Sequence, residues 1–143
     1  MENSEHRSIA VQTFNRCWDL LEGDRSAEAD RELVMCAFTS RYHWLQVGGP
    51  RQFAIADWMV SRAYATTGQG ALAVEWAELA QAQTADTEPA WMRASMFEGL
   101  ARAHKATGNT AELNRFRELA ITTLAEETNE QDAVHIRTQI EEL

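Results

Sequence analysis

An internal repeat with a period of 40 residues constrains this chain more than any other feature of its sequence. Residues 59–80 read MVSRAYATTGQGALAVEWAELA and residues 99–120 read GLARAHKATGNTAELNRFRELA; they align without a gap and agree at 8 of 22 positions. In both copies a Thr-Gly pair, ending at Gly68 or Gly108, separates two stretches with helical periodicity. Each copy is therefore predicted to be a helix, a glycine turn and a second helix. Because a single helical hairpin cannot bury its apolar face, the copies are expected to stack.

The first half of the chain carries further helix boundaries. Gly23 is predicted to end the first helix, and Ser26 can cap the start of the second. The second helix is expected to stop at Gly48, and Pro50 suits the first turn of the third. These signals place short connections between helices, which makes neighbouring helices antiparallel.

The second half of the chain carries three more helix starts. A threonine and a proline at 87–89 predict the start of the fifth helix. Asn109 and Thr128 are each followed three residues later by Glu or Gln, which is the pattern of a capping box. They are predicted to begin the sixth helix and a short seventh helix.

These boundaries predict an all-α protein of about seven helices, built as a right-handed stack of antiparallel helical hairpins. The hairpins are expected at about 7–47, 50–86 and 90–126, and a capping helix at 129–142, in one domain spanning 1–143. The last helix directs more charge outward than the first. We therefore expect that a homodimer, if one forms, uses the N-terminal end.

Charge and composition exclude several classes of partner. The chain has 143 residues, a net charge of -9 and 24% charged residues, so a nucleic acid or an anionic membrane surface would be repelled. Cys17 and Cys36 show no metal-binding spacing and are interpreted as core residues. The start of the chain lacks an apolar signal sequence, and no window is apolar enough for a membrane span, so a cytoplasmic location is expected. No cofactor or metal is predicted.

The succession of small, aromatic and glycine positions in the two copies resembles the tetratricopeptide repeat. The period of 40 differs from the family's 34, the second copy has Leu113 and Arg117 at positions that are usually small or aromatic, and the family's terminal proline is missing. The resemblance implies a scaffold that binds a protein or peptide in a groove lined by the first helix of each unit. The residues that carry it are Ser61, Tyr64, Gly68, Ala73 and Ala80, echoed by Ala101, His104, Gly108 and Ala120.

Two arginines at equivalent repeat positions are candidate groove residues. Arg62 and Arg102 could present two planar guanidinium groups to an acidic or carboxylate-bearing partner, with Trp58, Glu98 and Lys105 in the same groove. The alternative is local pairing, in which Glu98 binds Arg102 four residues later and Arg62 stacks on Trp58. The Asn and Lys set of the family's carboxylate clamp is absent, so binding of a chaperone tail is not implied.

The run Arg41-Tyr42-His43-Trp44 places four bulky planar side chains around one helix, so at least one of them must turn away from the core. Tyr42, His43 and Trp44 either pack between helices or line a pocket for a small ligand or peptide. The second interpretation supports a small-ligand or peptide sensor as the alternative to a scaffold.

No phosphate loop, dinucleotide fingerprint or nucleophile elbow occurs, so no catalytic residue is predicted. An enzyme would need Tyr42 and His43 to meet an acid such as Asp57 or Glu75. Three geometries separate these classes: an open groove favours a scaffold, a closed aromatic pocket favours a sensor, and His43 beside a buried carboxylate favours an enzyme.

Overall fold

The computed structural model covers all 143 residues and contains seven α-helices and no strand, which confirms the all-α prediction. Consecutive helices pack against each other as a stack of hairpins. None of the seven is both long enough and apolar enough to cross a membrane. The right-handed sense of the stack stays a prediction. The helices are α1 (Asn3–Glu22), α2 (Ala27–Val47), α3 (Pro50–Thr66), α4 (Gly70–Ala82), α5 (Ala90–Ala106), α6 (Thr110–Leu124) and α7 (Glu130–Glu141).

Most of the predicted helix ends are confirmed by their capping bonds. The Ser26 hydroxyl accepts the Ala29 N–H at 3.0 Å, and α3 begins with Pro50 as its first residue. At the start of α6 the Asn109 side chain accepts the Glu112 N–H at 3.2 Å. At the starts of α2 and α6 a short polar side chain satisfies an N–H that has no partner inside the helix, whereas α3 begins with a proline, which has no N–H to satisfy.

Two predicted starts are wrong by one or two residues. Thr87 does not cap α5, because Pro89 holds an extended backbone (φ -55°, ψ 152°) and is itself the residue before the helix. Thr128 does not cap α7, because the neighbouring Asn129 accepts the N–H groups of Gln131 and Asp132 at 3.0 and 3.3 Å. Asparagine is the better capping residue of this adjacent pair.

The two glycine turns of the repeat have the same geometry. Gly68 and Gly108 are the residues of the chain with positive φ, at 81° and 78°. After each glycine the next N–H bonds back to a carbonyl near the helix end, from Gln69 to Tyr64 at 2.8 Å and from Asn109 to His104 at 3.0 Å. This is the Schellman ending, for which glycine is the favoured residue.

Small residues let the two helices of the second hairpin approach closely. The Ser61 hydroxyl of α3 donates to the Ala73 carbonyl of α4 at 2.7 Å, and both residues are buried. Trp76 of α4 reaches the preceding hairpin, where its ring lies 5.4 Å from that of Phe38. Its repeat equivalent Phe116 instead stacks within its own hairpin, on His104 at 5.6 Å. Phe116 also packs against the buried cluster that contains Ala73 and Ala77 of the preceding α4.

The stack curves so that its odd-numbered helices lie inside. The backbone of α3 lies close to those of α1 and α5, and that of α5 lies close to α7, whereas the backbones of α2 and α4, and of α4 and α6, stay farther apart. The curvature brings α7 back toward α1, because the ring of Trp18 on α1 lies 5.6 Å from that of His135 on α7. The concave face is therefore bounded by four helices.

Candidate functional site

A cavity of about 270 Å³ lies on this concave face, and we call it the concave pocket. It draws residues from α1, α3, α5 and α7, and eight of its eleven lining residues are hydrophobic. The lining consists of Phe14, Trp18, Ile55, Trp58, Trp91, Met92, Ser95, Met96, His135, Ile136 and Gln139.

Trp58 is the fixed wall of the concave pocket. Its indole N–H donates to the Ser95 carbonyl on α5 at 2.9 Å, and the residue is 6% exposed. The indole lies directly against Gly99, where an added Cβ would come within 2.7 Å of the ring atom Cδ1. Trp18 packs on the same indole, with ring centroids 5.9 Å apart. A hydrogen bond and close packing therefore hold the wall in one position.

A second cavity of about 240 Å³, the Trp44 groove, continues from the concave pocket. The two cavities share Phe14 and Ile55. At the rim the guanidinium carbon of Arg7 lies 5.3 Å from the centre of the Trp44 ring. Together the cavities form one elongated apolar depression along α1 and α3. The Trp44 groove is lined by Val11, Phe14, Trp44, Gln52 and Ile55.

The predicted groove arginines face into the fold rather than into an open groove. The side chains of Arg62 and Arg102 are 11% and 19% exposed, and the Glu98 side chain between them is 1% exposed. Arg102 Nε donates to Glu98 Oε1 at 2.7 Å, whereas Arg62 Nη1 lies 3.8 Å from the same oxygen. Burial and, second, the charge of Arg102 lower the pKa of Arg62. The second Glu98 oxygen has no hydrogen-bond partner.

Arg62 also follows the local alternative that the sequence left open. Its guanidinium carbon lies 5.9 Å from the centre of the Trp58 ring and 5.4 Å from that of Trp18. Both distances are within the range of a cation–π contact. Both guanidinium groups are therefore committed to partners inside the chain.

The covering element is α7 and the residues that follow it. Arg102 Nη2 donates to the Gln139 carbonyl at 3.2 Å, and Lys105 Nζ donates to the Leu143 carbonyl at 2.9 Å. A Glu142 carboxylate oxygen lies 3.9 Å from Arg62 Nη2 and 3.8 Å from Arg102 Nη2. The three cations predicted to line the groove, Arg62, Arg102 and Lys105, therefore bind α7 and the residues after it to α3 and α5.

The four bulky residues 41–44 of α2 have four different surroundings. Tyr42 is 59% exposed, so one ring does turn away from the core as the sequence predicts. His43 meets His6 of α1, with the two Nδ1 atoms 2.8 Å apart. Trp44 lines its groove and Arg41 packs over the Trp76 ring at 4.8 Å. Only Trp44 joins the apolar depression.

The acids that an enzyme would need are not beside His43. Asp57 is 1% exposed, and its two oxygens accept from Arg41 Nε and from Gln83 Nε2. Glu75 is on the exposed side of α4. No group of three or more His, Cys, Asp and Glu side chains could hold a metal ion.

The polar part of the concave pocket was not found from the sequence. His135 and Gln139 both lie on α7, which the sequence treated as a cap, and their side-chain nitrogens Nε2 are 2.8 Å apart. Trp18, at 40 residues before Trp58, is likewise a pocket residue. The repeat period, extended beyond the two aligned copies, is the signal that could have found Trp18.

Comparison of the chain with protein-family models, with curated proteins and with solved structures finds no match. The function must therefore be argued from the site.

Proposed function

We propose that the protein is a non-catalytic peptide-binding module, of tetratricopeptide-like architecture, that holds large apolar side chains of a protein partner. The observation that carries this proposal is the pair of adjacent apolar cavities, the concave pocket and the Trp44 groove, on either side of Phe14 and Ile55. These shared residues separate two compartments of similar size. A partner segment with two apolar side chains fits such a surface better than a single compact molecule does.

The volume of the concave pocket limits the size of the partner side chain that can insert into it, which we call the anchor. Cavities that hold whole small-molecule ligands usually measure about 300–1,000 Å³, and an engineered cavity of about 150 Å³ holds benzene. A cavity of about 270 Å³ therefore suits one ring system of indole size. Aromatic rings are also the commonest anchors in the centre of protein interfaces.

The charges around the depression favour a partner with neutral or acidic flanks. The protein carries a net charge of -9, yet no Asp or Glu lines either compartment. Arg7 stands at the Trp44 end of the depression, while His135 is the ionisable residue of the concave pocket. An acidic residue beside the anchors would meet positive charge at the Trp44 end.

A sensor for a small aromatic molecule is the second candidate. The enclosure of the concave pocket by α1, α3, α5 and α7, with three tryptophans in its wall, favours it. The two candidates share the pocket and differ in their need for the Trp44 groove.

The first experiment locates binding with a minimal probe. Titration of methyl-labelled protein with 3-methylindole, followed by NMR, should shift the methyl signals of Met92 and Met96 in the pocket. Met35, which is 62% exposed on α2, is the internal reference and should not move. Shifts confined to Met35 or absent throughout would contradict the proposal.

The second experiment separates peptide from small molecule. Peptides selected from a random display library should carry two large apolar residues, and 3-methylindole should compete with them. Ile55→Glu puts a charge between the two compartments and should weaken peptide binding at least tenfold. Leu72→Glu on α4, where Leu72 is 38% exposed, is the matched control and should not. Binding of 3-methylindole without any selected peptide would favour the sensor.

A further inference from the structure

A chain of polar side chains leads from the interior to the concave pocket. Arg62 Nη1 donates to the Gln139 side-chain oxygen at 3.3 Å. Because a guanidinium group can only donate, the oxygen of the Gln139 amide must face Arg62 and its NH₂ group must face the other way. That NH₂ nitrogen lies 2.8 Å from Nε2 of His135.

This arrangement fixes where His135 carries its proton. An amide nitrogen donates and does not accept, so His135 Nε2 must be the acceptor. In the neutral imidazole the proton then resides on Nδ1. Nδ1 makes no hydrogen bond to any other group of the chain, since the Gln139 contact is the one that the ring makes through a nitrogen. The side chain therefore offers one free N–H donor.

The free donor belongs to a residue that lines an otherwise apolar cavity and is itself exposed to solvent. Of the other polar side chains in the concave pocket, the Ser95 hydroxyl already donates to the Trp91 carbonyl at 2.9 Å. Gln139 is held between Arg62 and His135. The His135 ring is oriented from a second side by Trp18, against which it packs in a T-shaped arrangement.

We propose that His135 is a specificity-determining residue of this pocket, whose Nδ1–H donates a hydrogen bond to a main-chain carbonyl oxygen of the bound peptide. The proposal rests on the peptide-binding function proposed above. A carbonyl accompanies every anchoring side chain, and its acceptor atom matches the free donor. A ring without an acceptor would bury apolar surface in the same pocket but would leave the donor without a protein or ligand partner.

The test uses two probes with the same ring. N-acetyl-tryptophanamide carries main-chain carbonyls, and 3-methylindole lacks them; calorimetry gives the ratio of their affinities. His135→Phe retains an aromatic ring of similar shape and removes the donor. We expect the preference for N-acetyl-tryptophanamide to fall by about 3- to 10-fold, the range for one neutral hydrogen bond. Binding of 3-methylindole should hold within about twofold. His104→Phe, on the ring that stacks on Phe116, is the control and should change neither.

A second variant tests the proton position directly. In Gln139→Glu, studied at a pH high enough to keep the imidazole neutral, the carboxylate accepts from His135, which moves the proton to Nε2 and turns Nδ1 into an acceptor. The ¹⁵N shifts of His135 should report this change of tautomer, and the preference for N-acetyl-tryptophanamide should fall as in His135→Phe.

The outcomes distinguish the two proposals. If neither probe binds the wild-type protein, the proposed function fails and the inference with it. If both bind and the ratio is the same in His135→Phe, the role of His135 is refuted while the pocket stands. Equal loss of both probes would make His135 only a part of the wall and would also refute the inference.

Discussion

Gly99 is the position at which one added methyl group should test the architecture of the site. A Cβ at this position would lie 2.7 Å from Cδ1 and 2.9 Å from Nε1 of Trp58, distances that real side chains do not sustain. Gly99→Ala must therefore displace the indole. Trp58 cannot move freely, because it is 6% exposed and its N–H is bonded to the Ser95 carbonyl.

Three effects decide how far Gly99→Ala lowers the free energy of unfolding. Overpacking a closely packed interior costs about 1–3 kcal/mol, and losing the Trp58 hydrogen bond costs about 0.5–1.5 kcal/mol. Alanine in place of glycine inside a helix stabilises the helix by up to about 1 kcal/mol. We expect Gly99→Ala to lower the free energy of unfolding by about 1–3 kcal/mol. At this chain length each kcal/mol corresponds to about 3–4 °C in Tm.

Urea unfolding followed by circular dichroism measures this change as a lower midpoint at an unchanged slope. A double-mutant cycle with Trp58→Leu assigns the cause, because a flexible leucine can make room for the methyl group. In the Trp58→Leu background Gly99→Ala should be neutral or stabilising. An equal or higher midpoint for Gly99→Ala in the wild-type background would refute the reasoning, because only the gain in helix propensity would then remain.

Three further perturbations test the interior and the surface. Arg41→Ala strands the buried Asp57 carboxylate with one remaining donor and should cost about 3–5 kcal/mol in urea unfolding; a loss below about 1 kcal/mol would contradict this account. Burial raises the pKa of Cys17 to about 12, so in a Cys36→Ser background a thiol reagent at pH 8 should modify Cys17 only after unfolding, and rapid labelling of Cys17 in the native variant would be the opposite result. The hydrogen bond from Arg137 lowers the pKa of Glu130 below its unfolded value. The pair therefore stabilises the folded protein at neutral pH, and this stabilisation is lost as the pH falls through the folded-state pKa of Glu130. Glu130→Gln should therefore lower Tm slightly at pH 7 and leave it unchanged near pH 2; equal shifts at both pH values would argue against the pair.

The local chemistry of helix ends explains why so much of the fold could be predicted. Ser26 and Asn109 bind N–H groups of the turn that follows them, and Pro50 is itself the first residue of its helix, so a short window of sequence contains each interaction. The errors arise where two suitable residues are adjacent. Thr128 and Asn129 can both cap, and only the path of the chain decides between them.

The side chains on the inner surface could be predicted only in part. The repeat places Trp58 and Arg62 on the first helix of a unit, and both lie on the inner face of the stack. The return of α7 to α1 depends on the curvature of the whole stack, which is set by the packing of distant helices. No local pattern contains that information; only the 40-residue period, extended beyond the two aligned copies, relates α7 to α3 and α5, and so His135 and Gln139 were missed.

The repeat period itself explains why the predicted cationic groove is covered by α7 instead of being open. α3, α5 and α7 begin at residues 50, 90 and 130, so α7 stands in register with the first helices of the two units and continues the stack. The period that relates Arg62 to Arg102 leads next to Glu142, which carries the opposite charge. With the buried Glu98 the cluster holds two positive and two negative groups, and α7 docks on the arginines instead of leaving them to a partner. In the proposed function a partner is therefore recognised through the neighbouring aromatic side chains and not through the arginines. α7 also contributes the free hydrogen-bond donor of the concave pocket, the Nδ1–H of His135.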